Sequence, residues 1–133
     1  MGKIVINVDY TGNFAGSPKN TDIACVVTAH SFPELKEQME VALRDHIEWM
    51  RQDGDQIPEE FCGEWSFEWN MTVRALLHYT DKLVSKSAIS KETGINRQQL
   101  SHYASGFRKP RPAMRKKIVD GIHHIAEQLY RIS

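Results

Sequence analysis

Five polar side chains crowd one short stretch of the chain: Arg97, Gln98, Gln99, Ser101 and His102. Arginine and glutamine are the side chains that pair bidentately with guanine and adenine edges. Arg108, Lys109 and Arg111 follow, a cationic run suited to phosphate oxygens. Together these residues offer the chemistry of gripping and reading a nucleic-acid duplex.

Other reactive residue types are present without a matching pattern. Asp9 ends a first strand ahead of a hairpin, where an RNase H-like nuclease carries its first carboxylate. Such a site needs three or four carboxylates converging on magnesium. Glu34 and Glu68 are available, yet Glu34 reads as part of a helix cap and Glu68 as a solvated strand residue. The six histidines are scattered. His123 and His124 are adjacent, so they point to different faces and cannot easily share an ion. His46 reads as a core-edge residue. Cys25 and Cys62 lack metal or redox spacing and fit a reducing cytoplasm as free thiols. Neither a phosphate-cradling glycine loop nor a nucleophile elbow occurs. The expectation is a non-enzyme with no cofactor and no metal.

The polar stretch must be held by helices. Ser85 can cap one helix, with Ala88 and Ile89 inward. Gly94 stops it where positive φ is needed. Ile95 plugs the gap and Asn96 caps a second helix, on which Leu100 and Tyr103 share one face. Gly106 closes it. This is the grammar of a helix-turn-helix. A surface helical hairpin shares the outline but not the polar face, the capped turn and the Ser-Gly-Phe-Arg-Lys-Pro exit together. A helix from Thr72 to about Thr80, with Val73, Leu76 and Leu77 inward, precedes the motif. Pro112 opens a last helix whose seam is Met114, Ile118, Ile122, Ile125 and Leu129. Its first half packs on the motif; the rest, with Tyr130 and Ile132, is available to pair subunits.

From about Val73 to Leu129 the chain resembles the Cro and lambda-repressor type of helix-turn-helix, the XRE family. Leu-Ser-His-Tyr-Ala-Ser-Gly-Phe-Arg-Lys-Pro is the most specific part. The resemblance implies that Arg97, Gln98 and His102 read bases and that Lys86 touches phosphate. Ser90 stands where the family usually places Ala.

Net charge is zero, but it is divided. Residues 1–70 carry 5 Lys and Arg against 13 Asp and Glu; residues 71–133 carry 12 against 4. The basic half suits a polyanion, and the acidic half a basic partner. No run is long and apolar enough to span a bilayer, and the N-terminus lacks a signal-peptide pattern. The expected location is the cytoplasm.

The acidic half reads as strand, strand, strand, helix, strand. Lys3 to Tyr10 alternates cleanly. Asn13 to Gly16 reads as a short second strand, broken by Ser17-Pro18-Lys19-Asn20. Ile23 to Thr28 reads as a third strand buried on both faces. Ser31 and Glu34 form a capping box, and Leu35, Met39, Ala42, Leu43, His46, Ile47 and Met50 make the inward stripe. Gly54 ends that helix, and Ile57-Pro58 starts an extended link. Glu64 to Met71 alternates with Trp65, Phe67, Trp69 and Met71 on one face, as a half-buried antiparallel strand packed under the helix does.

This layout, with a DNA-binding tail, resembles the HicB antitoxin family. The helix from Ser31-Phe32-Pro33-Glu34-Leu35, the Gln-Asp-Gly-Asp-Gln-Ile-Pro link and the aromatic strand Trp65 to Met71 carry the likeness. The family's short proline-glycine-cysteine turn before the third strand is absent. The resemblance implies a partial, inactive RNase H-like fold that silences a small basic ribonuclease toxin, HicA, and a tail that represses the chain's own operon as a homodimer or homotetramer. The fold class expected is α+β, with a βββαβ module over residues 1–71 and an all-α module over 72–133. Arg97, Gln98 and His102 would read an operator, with Gln99 and Ser101 beside them; Lys86, Asn96, Arg108 and Lys109 would hold phosphates. The alternative is a stand-alone regulator whose acidic module dimerises or senses a ligand.

Overall fold

The structure is a computed structural model that describes residues 2–133. The chain is mixed α and β, with a four-stranded sheet followed by an all-helical segment. It divides into two compact units, Met1–Thr72 and Val73–Ser133. The sequence places the division one residue earlier. Thr72 stays with the first unit because its N–H donates to the Val8 carbonyl (2.9 Å) and its hydroxyl to Asp9 Oδ1 (2.8 Å).

In the first unit, β1 (Gly2–Tyr10) turns Ile4, Ile6 and Val8 into the core and Lys3 and Asn7 to solvent. That alternation lets a sheet bury one face. β2 (Phe14–Pro18) runs antiparallel to β1, and β3 (Val27–Ala29) antiparallel to β2. Helix α1 (Phe32–Gln52) crosses back over the sheet, and β4 (Trp65–Met71) returns parallel to β1. The order is β3-β2-β1-β4. Gly16 sits where a Cβ would press on Leu35 and Met39 of α1, so the helix lies directly on β2.

Four expectations are corrected. β2 runs through Pro18, which pairs with Ile6. The missing proline N–H falls at the strand end, where Asn20 continues the ladder by side chain, accepting from Val5 N–H and donating to the Lys3 carbonyl, both 2.9 Å. β3 is only Val27–Ala29; of the run before it Ile23 is buried while Val26 is 75% exposed, so that segment packs at one point and does not pair. β4 is parallel to β1, because the chain reaches it from β3, which itself runs parallel to β1, through the crossover helix α1 and not through a hairpin. Its aromatic face is only partly covered and not packed squarely under the helix, since α1 lies over β2 and β3 and leaves β4 to one side.

Only half of the capping box forms. Ser31 Oγ accepts from Glu34 N–H (3.3 Å), but Glu34 Oε1 takes the Gln38 side chain instead of reaching back. Leu35, Met39, Leu43 and Ile47 are the buried stripe of α1; Ala42, His46 and Met50 border it. A single 3-10 turn, Glu59–Phe61, interrupts the link into β4.

The second unit contains α2 (Val73–Thr80), α3 (Lys86–Thr93), α4 (Arg97–Ser105) and α5 (Pro112–Ile132). Val73, Leu77, Ile89, Ile95, Leu100, Tyr103, Ala104 and Ile118 form its core. In α2, Val73 and Leu77 are buried as expected, Leu76 is only partly so, and Ala75 and Thr80 are buried besides. Along α5 burial fades outward: Ile118 is fully buried, Ile122 and Ile125 partly, and Leu129, Tyr130 and Ile132 are exposed. Among the described residues no helix is long and apolar enough to cross a membrane.

Candidate nucleic-acid interface

The polar cluster of α4 is presented by a turn fastened on every side. Ser85 Oγ caps α3 by accepting from Ala88 N–H (3.0 Å). Gly94 adopts φ 75° at the end of α3, a left-handed conformation costly to any residue with a Cβ. Asn96 Oδ1 caps α4 by accepting from Gln98 N–H (2.7 Å). The Ser90 hydroxyl donates to the Ile95 carbonyl (2.6 Å). Thr93 Oγ1 donates to the Ile89 carbonyl (2.7 Å) and accepts from Ile95 N–H (3.2 Å). Ile95, 4% exposed, is driven into the core between the helices. The start of α4 therefore has little freedom to swing.

Leu100, Tyr103 and Ala104 anchor α4 to the core. At 100° per residue, Gln98, His102 and Ser105 lie opposite these anchors, Ser101 beside them, and Arg97, in the first turn, on the adjoining flank next to Ser101. Arg97, Gln98 and Ser101 are exposed, and His102 is half-buried because its ring lies against Phe107 at 4.9 Å. These four form one open surface of the helix. Gln99 does not belong to it: the side chain turns to the flank, where its Nε2 donates to the Tyr103 hydroxyl (2.5 Å). It buttresses the helix and does not face outward.

The expected phosphate ligands are placed less uniformly. Arg108 and Lys109 are exposed beyond the C-terminal end of α4, and the Arg108 backbone N–H is tied to the His102 carbonyl (3.2 Å). Gly106, at φ 81°, reverses the chain into this segment. Lys86 is engaged by Asp81 at 3.0 Å, with its side chain 27% exposed. Asn96 is exposed, but its side-chain oxygen is committed to the cap.

One signal lay in what the sequence omits. Between Glu92 and Asp120 there is no Asp or Glu, while Arg97, Arg108, Lys109, Arg111, Arg115, Lys116 and Lys117 all fall inside that interval. Lys116 is paired with Asp120, whereas Arg111 and Lys117 are exposed in α5 and the segment before it. Exposed cations thus continue along the chain past the exit loop. Phe107, 72% exposed beside His102, was also not singled out by sequence.

Asp9 Oδ1 is occupied by its neighbours Tyr10 N–H and the Thr72 hydroxyl, and Glu34 by Gln38. Among the described residues no group of three His, Cys, Asp or Glu could hold a metal ion. His124 pairs with Glu92, bridging α5 and α3, and His78 bonds the Ala104 carbonyl (2.9 Å), bridging α2 and α4. These histidines fasten helices to one another. No protein-family model, no curated protein and no solved structure matches this chain.

Proposed function

We propose that this chain is a sequence-specific DNA-binding repressor of the antitoxin type, HicB-like in layout, with an XRE-type helix-turn-helix as its second unit. The observation that carries the reading is the outer face of α4. Arg97, Gln98, Ser101 and His102 stand together on a helix whose opposite side is locked into the core, with exposed Arg108 and Lys109 at its end. A helix so presented suits the major groove, and the cations suit the flanking phosphates. The exposed apolar end of α5 supports pairing of two copies on a two-fold operator. Half-sites would then lie about one helical turn, or a multiple, apart.

The toxin-binding half of the reading is supported by the first unit. Its strand order, with β4 parallel to β1, fits a sheet cut from an RNase H-like fold. Its surplus of carboxylates suits a partner that must itself be cationic to hold RNA. Such a partner would be a HicA-like protein encoded beside it.

Fluorescence anisotropy against DNA from upstream of the chain's own reading frame tests the DNA half. Arg97→Ala should reduce discrimination between operator and random DNA by about 1–3 kcal/mol per half-site, roughly 5- to 150-fold. Unchanged discrimination would remove Arg97 from the recognition surface. Co-purification from the native host tests the other half. Recovery of the chain without any small basic protein would leave the stand-alone regulator.

A further inference from the structure

β4 is the end strand of the sheet, paired only with β1. The phase of that pairing is fixed at both ends: Gly2 N–H donates to the Glu64 carbonyl (2.8 Å) and Thr72 N–H to the Val8 carbonyl (2.9 Å). In a parallel ladder, alternate residues turn both backbone groups toward the neighbour. Even-numbered positions of β4 therefore face β1, and Trp65, Phe67 and Trp69 turn their N–H and C=O outward.

Natural edges are blunted by proline, lysine, a bulge or brevity. β4 has none of these: it runs seven residues, WSFEWNM, in unbroken register with β1. Its rings form a continuous ladder, Phe61 to Trp65 (5.2 Å), Trp65 to Phe67 (5.3 Å), Phe67 to Trp69 (5.0 Å) and Trp69 to Phe32 (5.3 Å). The rings of β4 are half-buried, so their remaining surface is open beside the unpaired edge. The ladder already takes a cation, since the Arg44 guanidinium lies 4.8 Å from the Trp65 ring centre.

Charge selects the occupant. Between Arg51 and Arg74 there is no Lys or Arg, and Asp53, Asp55, Glu59, Glu60, Glu64 and Glu68 fall within that interval. A second copy of the edge would bring the same carboxylates to itself. We propose that the β4 edge receives an extended, lysine- or arginine-rich segment of another protein as a fifth strand. Backbone bonds to Trp65, Phe67 and Trp69 supply the pairing, alternate apolar side chains lie on the aromatic ladder, and cations meet Glu64 and Glu68. This deepens the partner half of the reading above and is independent of its DNA half.

The test is amide hydrogen exchange by NMR on the full chain. The probe is a seven-residue peptide of alternating lysine and valine, with a glutamate–valine peptide as control. At saturation the basic peptide should slow exchange at Trp65, Phe67 and Trp69 by about tenfold or more. Ser66, Glu68 and Asn70, whose amides already face β1, should change little. Glu68→Lys should abolish the protection with native dichroism retained, and Phe67→Pro, which deletes an outward N–H, should do the same. The proposal is overturned by an absence of alternating protection, by equal protection from the acidic peptide, or by concentration-dependent protection without peptide, which would give the edge to a second copy. Capture of a basic protein without protection at these three amides would retain the partner reading and reject the edge. Loss of operator binding with the protection intact would strike only the DNA half.

Discussion

The placement of α4 depends directly on Thr93. Its hydroxyl bridges the last turn of α3 and the turn into α4, donating to Ile89 and accepting from Ile95. Its methyl fills the space over Gly121, where a Cβ on that glycine would strike it. Thr93→Val keeps the shape and deletes both hydrogen bonds. The carbonyl of Ile89 retains its helical partner, so its loss is small. The N–H of buried Ile95 is left without an acceptor, at about 1–3 kcal/mol. With about 1 kcal/mol for the second bond, the expected destabilisation is about 2–4 kcal/mol. A unit of this size has a total stability on the order of 3–9 kcal/mol. Thr93→Ser keeps the bonds and loses one methyl, about 1 kcal/mol. Urea unfolding followed by dichroism at 222 nm measures both. Trp49, Trp65 and Trp69 all lie in the first unit, so their emission checks that the sheet is intact. A Thr93→Val protein within about 0.5 kcal/mol of the parent, or one more stable than Thr93→Ser, would refute the bridging role.

Lys86→Ala should alter the salt dependence of DNA binding less than Lys109→Ala, because Asp81 already occupies Lys86; Lys109→Ala should lower the log–log slope by about 1 per copy, read from anisotropy titrations. Gly121→Ala should destabilise the second unit by about 1–3 kcal/mol, despite alanine's better helix propensity, because the new methyl meets Thr93 across the α3–α5 contact; thermal melts followed by dichroism measure it. Burial pushes the Cys25 thiol above its ordinary pKa, whereas Cys62 is exposed. Less Cys25 is therefore thiolate at mildly alkaline pH, and iodoacetamide should label Cys62 first, with Cys25 catching up as pH rises; peptide mass mapping reads the order.

Local signals carried the second unit well. The caps at Ser85 and Asn96 and the stops at Gly94 and Gly106 each depend on a residue and its near neighbours, and all four appear at those positions. The outward face of α4 followed from the inward one, since Leu100, Tyr103 and Ala104 leave only one side open. Non-local matters were not legible. Whether β4 ran with or against β1 depended on the crossover through α1, and the apolar run before β3 gave no sign that only Ile23 would be buried. Gln99 looked like a base reader by type, yet the Tyr103 hydroxyl one turn on claims it. Lys86 was likewise claimed, by an acid five residues earlier. Side-chain chemistry names what a residue can hold; only the fold says what it holds already.

The separation of charge along the chain has an electrical consequence for any encounter. The free molecule has no net charge, its cationic side chains equalling its anionic ones in number, and salt screens each unit's field beyond a Debye length of about 8 Å. Were a duplex to cover the cationic unit, that balance would end, and the exposed field would be that of the carboxylates together with the duplex's own phosphates. A basic protein would then be drawn more strongly to the occupied chain than to the free one. By reciprocity the basic protein would tighten the chain's hold on the duplex by the same factor.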